Sequence, residues 1–258
     1  MDKNGSAPAL AGWYVISLRP SGSHAPVRRA ASALGAGVVS VSTLALRPLP
    51  ARPALVAALA CPVVVVTSPA AVRFASRLLP LAAAPGQRWL ALGAGTAAAL
   101  ERAGVPGAVF PDSGTDSEAL LALPALKPPP PAVGLLTAPG GRGLIPETLA
   151  QRGAAVHRAN VYQRVAVHPG AARLRRLRKL PARTALLVSS SEAFDGLWKP
   201  LDEAGREALR ARPAVVSSPR LAAQLAALGF RALVLAPGAA PETMLEALAA
   251  DVGQGRFR

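Results

Sequence analysis

The sequence predicts an α/β protein made of two similar parallel-sheet lobes joined by a two-stranded linker. Short β-type runs alternate with Ala/Leu-rich helical stretches of about ten residues, the pattern of βαβ units and parallel strands. The text is also doubled. VVVVTSPAAV (63–72), LGAGTAAALERAGV (92–105) and AVFPDSGTDSEALLAL (108–123) return as ALLVSSSEAF (185–194), VVSSPRLAAQLAALGF (215–230) and ALVLAPGAAPETMLEAL (232–248). Gly104 to Leu120 and Gly229 to Leu245 are both 16 residues. A second pair repeats separately: YVISLRP (14–20) with LGAGVV (34–39) answers VGLLTAP (133–139) with RGAAVH (152–157), at 20 residues from Val15 to Gly35 and from Val133 to Gly153. The order of units is therefore A, B, A′, B′. A period near 120 residues is too long for a solenoid and reads as a duplicated domain.

Taken in order, VISL precedes a helix over 24–34, VVVVT one over 69–79, RWLALG one over 96–103 and AVF one over 115–123. The second half repeats the alternation. Each A unit ends in an extended, β-branched segment, VVSVSTLALRPLP (38–50) and VHRANVYQRVAVHP (156–169), placed where the chain would cross between lobes as a two-stranded bridge. KPPPP (127–131) is expected to be a stiff polyproline spacer, because proline fixes φ and removes the amide donor.

Composition narrows the function classes. With 258 residues and 51% apolar content the chain can bury two modest cores, and no apolar stretch reaches transmembrane length. The start, MDKNGSAPAL, lacks the charged and apolar regions of a signal peptide, so a cytoplasmic protein is expected. One cysteine, Cys61, excludes an internal disulfide and reads as a buried, inert thiol. The net charge of +15 comes from 29 basic residues, of which four are lysines. Its only dense run, RLRRLRK (173–179), has no aromatics interleaved for base stacking, which argues against nucleic acid. Two readings stay open for the charge: an arginine-rich coding bias, or a ligand with several carboxylates or phosphates.

Chemistry-bearing residues gather where strands end and helices begin. Thr67 and Ser68 open one helix, and Ser189, Ser190 and Ser191 its counterpart. A hydroxyl there can cap the free amides, and those amides can hold an anion. The turn GAGT satisfies G-x-G-x-x-A through Gly93, Gly95 and Ala98, with Asp112 downstream, yet it is not on the first strand of its unit and its copy SSPR has no glycine. A close-packed turn with Thr96 exposed is expected instead of a dinucleotide site. His24, His157 and His168 are far apart and read as surface or linker residues. Tyr162, in the crossing segment NVYQR, can donate a phenolic proton to a leaving hydroxyl.

As an ordered set, YVISLRP, VVVVTSPAAV, LGAGTAAALERAG, SGTDSEALL, LLTAPGGRGLIPETLAQRGA, NVYQR and LGF resemble the uroporphyrinogen-III synthases over nearly the whole chain. The resemblance implies two flavodoxin-like lobes: 1–38 with 168–258, and 51–157, joined by 39–50 and 158–167. Periodicity alone leaves two contiguous lobes equally open. It further implies a cofactor-free, metal-free, monomeric enzyme that takes hydroxymethylbilane, a linear tetrapyrrole polycarboxylate, in transient hand-over from hydroxymethylbilane synthase. Loss of the terminal hydroxyl would leave an azafulvene; ring D attacks, a spiro intermediate reopens, and the macrocycle closes with ring D inverted. Carried over by position, Tyr162 is the candidate acid, and Arg19, Thr67, Ser68, Gly93, Thr96, Ser189, Ser191 and Ser218 are candidate substrate-binding residues. This chain has Leu18 where the family pattern has threonine before Arg-Pro, Ala70 after T-S-P, and Ser218-Pro219-Arg220-Leu221 where the second lobe has G-x-T-T. The other reading is a non-catalytic two-lobed tetrapyrrole- or anion-binding duplicate.

Overall fold

A computed structural model describes residues 7–112, 114, 116–140 and 143–257. In chain order the elements are β1 (Tyr14–Ser17), α1 (Ala25–Ala33), β2 (Gly37–Ser40), β3 (Leu44–Pro48), α2 (Arg52–Leu59), β4 (Val63–Val66), α3 (Pro69–Leu78), β5 (Arg88–Ala91), α4 (Ala94–Arg102) and α5 (Ser117–Leu121). A 3-10 turn at Pro124–Leu126 and the unstructured proline run then lead to β6 (Ala132–Thr137), α6 (Leu144–Gln151), β7 (Ala155–Asn160), β8 (Tyr162–Ala166) and α7 (Ala171–Leu177). The chain closes with β9 (Thr184–Val188), α8 (Ser191–Trp198), α9 (Glu203–Arg210), β10 (Ala214–Val216), α10 (Pro219–Ala227), β11 (Leu233–Leu235) and α11 (Pro241–Gly253). Of the segments quoted above, residues 1–6, Ser113, Thr115, Gly141 and Arg142 lie outside the described residues.

Two compact units result: residues 1–45 with 165–258, and residues 46–164. The first holds a parallel sheet in the order β11-β10-β9-β1-β2, and the second a parallel sheet in the order β5-β4-β6-β7. A parallel bridge between Leu90 and Val109 adds a minimal fifth strand beside β5. Each sheet thus has the same strand order, B units on one side and A units on the other. β3 and β8 pair as a separate two-stranded sheet, and the chain passes from one unit to the other through each of them.

Helices cover both faces of each sheet, which is why the strands read as continuous apolar runs. In the first unit Ile16, Leu186, Val188 and Val216 pack into one cluster, while Val15, Ala185, Leu187 and Val215 pack into another on the opposite face. In the second unit Val64, Val66 and Leu136 face one way, and Val63, Val65 and Leu135 the other. Alternate residues of one strand therefore feed two cores.

The repeat glycines have a common physical cause. Gly35, Gly104, Gly153 and Gly229 follow α1, α4, α6 and α10 with φ of 78°, 92°, 92° and 91°. In each case the next amide reaches back to a helix carbonyl, as Val105 N–H does to Leu100 O at 2.9 Å and Phe230 N–H to Leu225 O at 3.1 Å. This is the left-handed helix stop that a side chain disfavours, so glycine marks the same place in all four copies.

Candidate active site

Strand order reverses between β4 and β6 in one unit and between β9 and β1 in the other. Open α/β sheets bind ligands beyond the carboxyl ends of the strands at such a point, because the helices leaving in opposite directions open a crevice. The hydroxyl clusters stand at these ends. Thr67 and Ser68 follow β4, Thr137 closes β6, Ser17 closes β1, and Ser189 and Ser190 follow β9.

In the unit of residues 46–164 the crevice is a cavity of about 290 Å³ lined by Thr67, Ser68, Thr137, Arg158, Tyr162 and Arg164, with Gly140 and the start of α6 at its margin. Thr67 Oγ1 donates to Thr137 Oγ1 at 2.9 Å, tying the two central strand ends together. Ser68 caps α3: its Oγ accepts from Ala71 N–H at 3.1 Å, and Pro69 presets the first helical φ. The same Oγ lies 3.1 Å from Tyr162 Oη. Tyr162 is 7% exposed, and its ring stacks on Phe74 of α3 with centroids 5.3 Å apart. Arg73 and Arg77 approach that Phe74 ring in turn, at 5.0 and 5.5 Å. The phenol is fixed by packing at one end and by Ser68 at the other.

Arg158 is anchored by its Nη2 on Ala138 O and its Nε on Asn160 Oδ1, both at 3.0 Å. Arg164 stands two residues after Tyr162 on β8, hence on the same face of the strand. Among the described residues the lining carries two arginines and no carboxylate. Such a surface suits a polyanion, since a guanidinium holds a carboxylate by charge-assisted hydrogen bonds. Neither arginine was a sequence candidate. With 25 arginines scattered along the chain, only their strand phase relative to Tyr162 could have marked them.

The corresponding crevice of the other unit is nearly closed, at about 10 Å³, and is lined by Ser17, Arg19, Ser189, Ser190, Pro241 and Met244. Ser190 caps α8, accepting from Ala193 N–H at 3.3 Å. The Arg19 guanidinium donates to Ala239 O. Burial pushes its pKa below the ordinary arginine value, and Glu242 acts in the other direction. Ser191 donates to Gln224 Oε1 at 2.8 Å and accepts from Arg220 at 2.9 Å, while Ser218 caps α10 through Leu221 N–H at 3.4 Å. Neither Ser191 nor Ser218 lines this crevice.

Two expectations are corrected. Thr96 is 4% exposed, not presented to solvent: it shares the buried side of α4 with Leu100, one turn on, and neither it nor the N-cap Gly93 lines the cavity. His24 is 5% exposed and is no surface or linker residue; its Nδ1 pairs with Ser17 Oγ at 2.9 Å and its Nε2 with Ser42 Oγ at 2.8 Å. Cys61 is buried, its Sγ on Ala57 O at 3.5 Å, and burial pushes the thiol pKa up, consistent with an inert group.

Residues 26–246 match the family model described as Uroporphyrinogen-III synthase HemD. The chain belongs to the uroporphyrinogen-III synthase family. Curated relatives named uroporphyrinogen-III synthase include that of Escherichia coli (strain K12), 34% identical over 163 residues, and that of Salmonella typhimurium, 37% identical over 164 residues. Each match covers 62% of this chain and 66% of the relative, just under two thirds of its length. The fold is similar to the crystal structure of uroporphyrinogen-III synthetase from Helicobacter pylori 26695, at a TM-score of 0.60 and 15% identity over 93% of this chain and 99% of that one. The family pattern therefore runs through both switch points, from α1 to α11.

Proposed function

We propose that the chain is a uroporphyrinogen-III synthase, which converts hydroxymethylbilane into uroporphyrinogen III with loss of water. The observation that carries this reading is Tyr162: a buried, stacked phenol, 3.1 Å from the Ser68 hydroxyl, opening on a cavity with two arginines, in a chain of this family. Ser68 Oγ already accepts a backbone N–H, so its own proton is available to the phenol oxygen. Tyr162 then directs its O–H into the cavity.

In the reaction the terminal C–O bond of the bilane breaks, the electron pair stays on oxygen, and that oxygen takes the Tyr162 proton and leaves as water. The adjacent pyrrole nitrogen supplies the electrons that form the azafulvene. Ring D attacks through its substituted carbon, the spiro intermediate reopens, and the second closure releases a carbon-bound proton that returns to the phenolate. The phenolate is stabilised meanwhile by the Ser68 O–H, a preorganised donor. Arg158, Arg164, Thr67 and Thr137 hold substrate carboxylates and so fix the bilane in a ring-forming conformation, which lowers the entropic cost of closure. Arg19, Ser189 and Ser190 form the equivalent anion contacts of the other unit, and Ser191, Ser218, Gly93 and Thr96 act by shaping the turns.

No helix among the described residues is long and apolar enough to cross a membrane. A monomer in the cytoplasm, receiving the bilane directly from hydroxymethylbilane synthase, is the setting that fits a short-lived substrate. The test is to supply freshly made hydroxymethylbilane and resolve the oxidised porphyrin isomers. Type III product is expected, and type I product alone would contradict the reading.

A further inference from the structure

The unit of residues 1–45 and 165–258 has a second hollow, separate from the Arg19 crevice. It measures about 840 Å³ and lies between α7 and the edge strand β2. Val39, Ser40 and Leu177 contribute to its wall together with Arg173, Arg176 and Lys179. The three cations are three residues apart, so successive ones rise about 4.5 Å along a helical path and share one side of it. The intervening arginines differ. Arg175 and Arg178 line another hollow beside Asp202, and Arg178 pairs with that carboxylate.

Arg173, Arg176 and Lys179 have no ion pair among the described residues, and the lining of their hollow contains no carboxylate. More positive charge converges on the same place. Arg28 donates to Ser40 Oγ of the wall at 2.9 Å, and Arg28 and Arg173 both act on His24, whose pKa is held below its ordinary value first by burial and then by neighbouring arginines. Like charges gathered around a partly apolar wall repel one another, and among the described residues no carboxylate lines the hollow to offset them. A bound anion would do so.

We propose that this hollow is a second ligand site, for a molecule with an apolar framework bearing two or more carboxylates or phosphates within about 5 Å of one another. The assignment does not depend on the Tyr162 reading. A porphyrin polycarboxylate and an alkyl diphosphate both have this chemistry, and the two arms of the test separate them.

The full chain is titrated by calorimetry with uroporphyrin I and, separately, with geranyl diphosphate. Saturable binding of one probe is expected that survives Arg158→Gln but is weakened at least tenfold by the triple change Arg173→Ala, Arg176→Ala, Lys179→Ala. The single change Arg176→Glu should weaken it as well, which guards against a folding defect in the triple variant. Isomer production by the triple variant reports separately on the Tyr162 cavity. Failure of both probes to bind would overturn the assignment, as would binding that the triple and Arg176→Glu variants leave unchanged, or that Arg158→Gln alone abolishes.

Discussion

Ser68→Ala separates catalysis from helix capping because the same oxygen does both. Removing the Oγ deletes the cap on Ala71 N–H, which costs about 1 kcal/mol of stability. It also removes the hydroxyl partner of the Tyr162 oxygen, 3.1 Å away, which the proposed mechanism uses as a donor. A hydrogen bond to a group that becomes charged contributes about 1.5–3 kcal/mol, so the rate of water loss should fall about 10- to 100-fold. Ser218→Ala is the control. It deletes a cap of the same type on Leu221 N–H, on a different helix from the Ser68 hydroxyl that meets the phenol, so a similar loss of stability should come with less than about a threefold change in rate. In a double-mutant cycle, Ser68→Ala should have little further effect on rate once Tyr162 is phenylalanine, since the bond it removes is already gone. Chemical denaturation gives the stabilities, and stopped-flow consumption of hydroxymethylbilane gives the rates. Equal rate losses for Ser68→Ala and Ser218→Ala, or full additivity with Tyr162→Phe, would refute the reasoning.

Arg158→Gln should raise KM about tenfold with a smaller change in kcat, because it removes a carboxylate contact from the cavity wall and leaves the phenol in place; steady-state kinetics at two salt concentrations check this. Gly134→Ala should destabilise the chain by about 1–3 kcal/mol or more, read from the denaturation midpoint, since its Cβ would stand 2.0 Å from Ala58 O at the close approach of α2 to β6. His24 gives a pH dependence. Its folded pKa lies below the ordinary 6.5, so the unfolded chain binds more protons as pH falls through that value. Stability should be fully present above about pH 7 and decline as pH drops below 6.5, and His24→Gln should flatten that decline in denaturation midpoints measured at pH 7.5 and 5.

The α/β class was legible because two periodicities alternate without interruption, and because the four helix-ending glycines recur at fixed offsets. Two sheets of equal strand order follow from A, B, A′, B′ once the central strands are paired, yet pairing is a long-range event that periodicity does not encode. The hydroxyl turns were visible for a local reason: a small polar residue before proline or alanine is a cap signal wherever it occurs. Thr67, Ser68 and Tyr162 meet at one cavity, but their separation of 94 residues, from Ser68 to Tyr162, is closed only by the fold. Thr96 was misplaced because an alanine-rich helix such as α4 offers no clear apolar face to fix its rotation. His24 was misplaced because the loop after β1 looks polar in sequence and is covered by Ser17 and Ser42 only in three dimensions. Arginine abundance hid Arg158 and Arg164, and it also hid the difference between Arg178, paired with Asp202, and Arg173 and Arg176, which have no ion pair among the described residues.

Tyr162 is the residue on which the mechanism turns, and a single-turnover rate for Tyr162→Phe with freshly prepared hydroxymethylbilane tests it most directly. The ring stack on Phe74 is kept in that variant, so only the proton and its bond to Ser68 are lost. The account predicts a fall of about 100-fold or more, with the slow product still enriched in the type III isomer. An unchanged rate would contradict it.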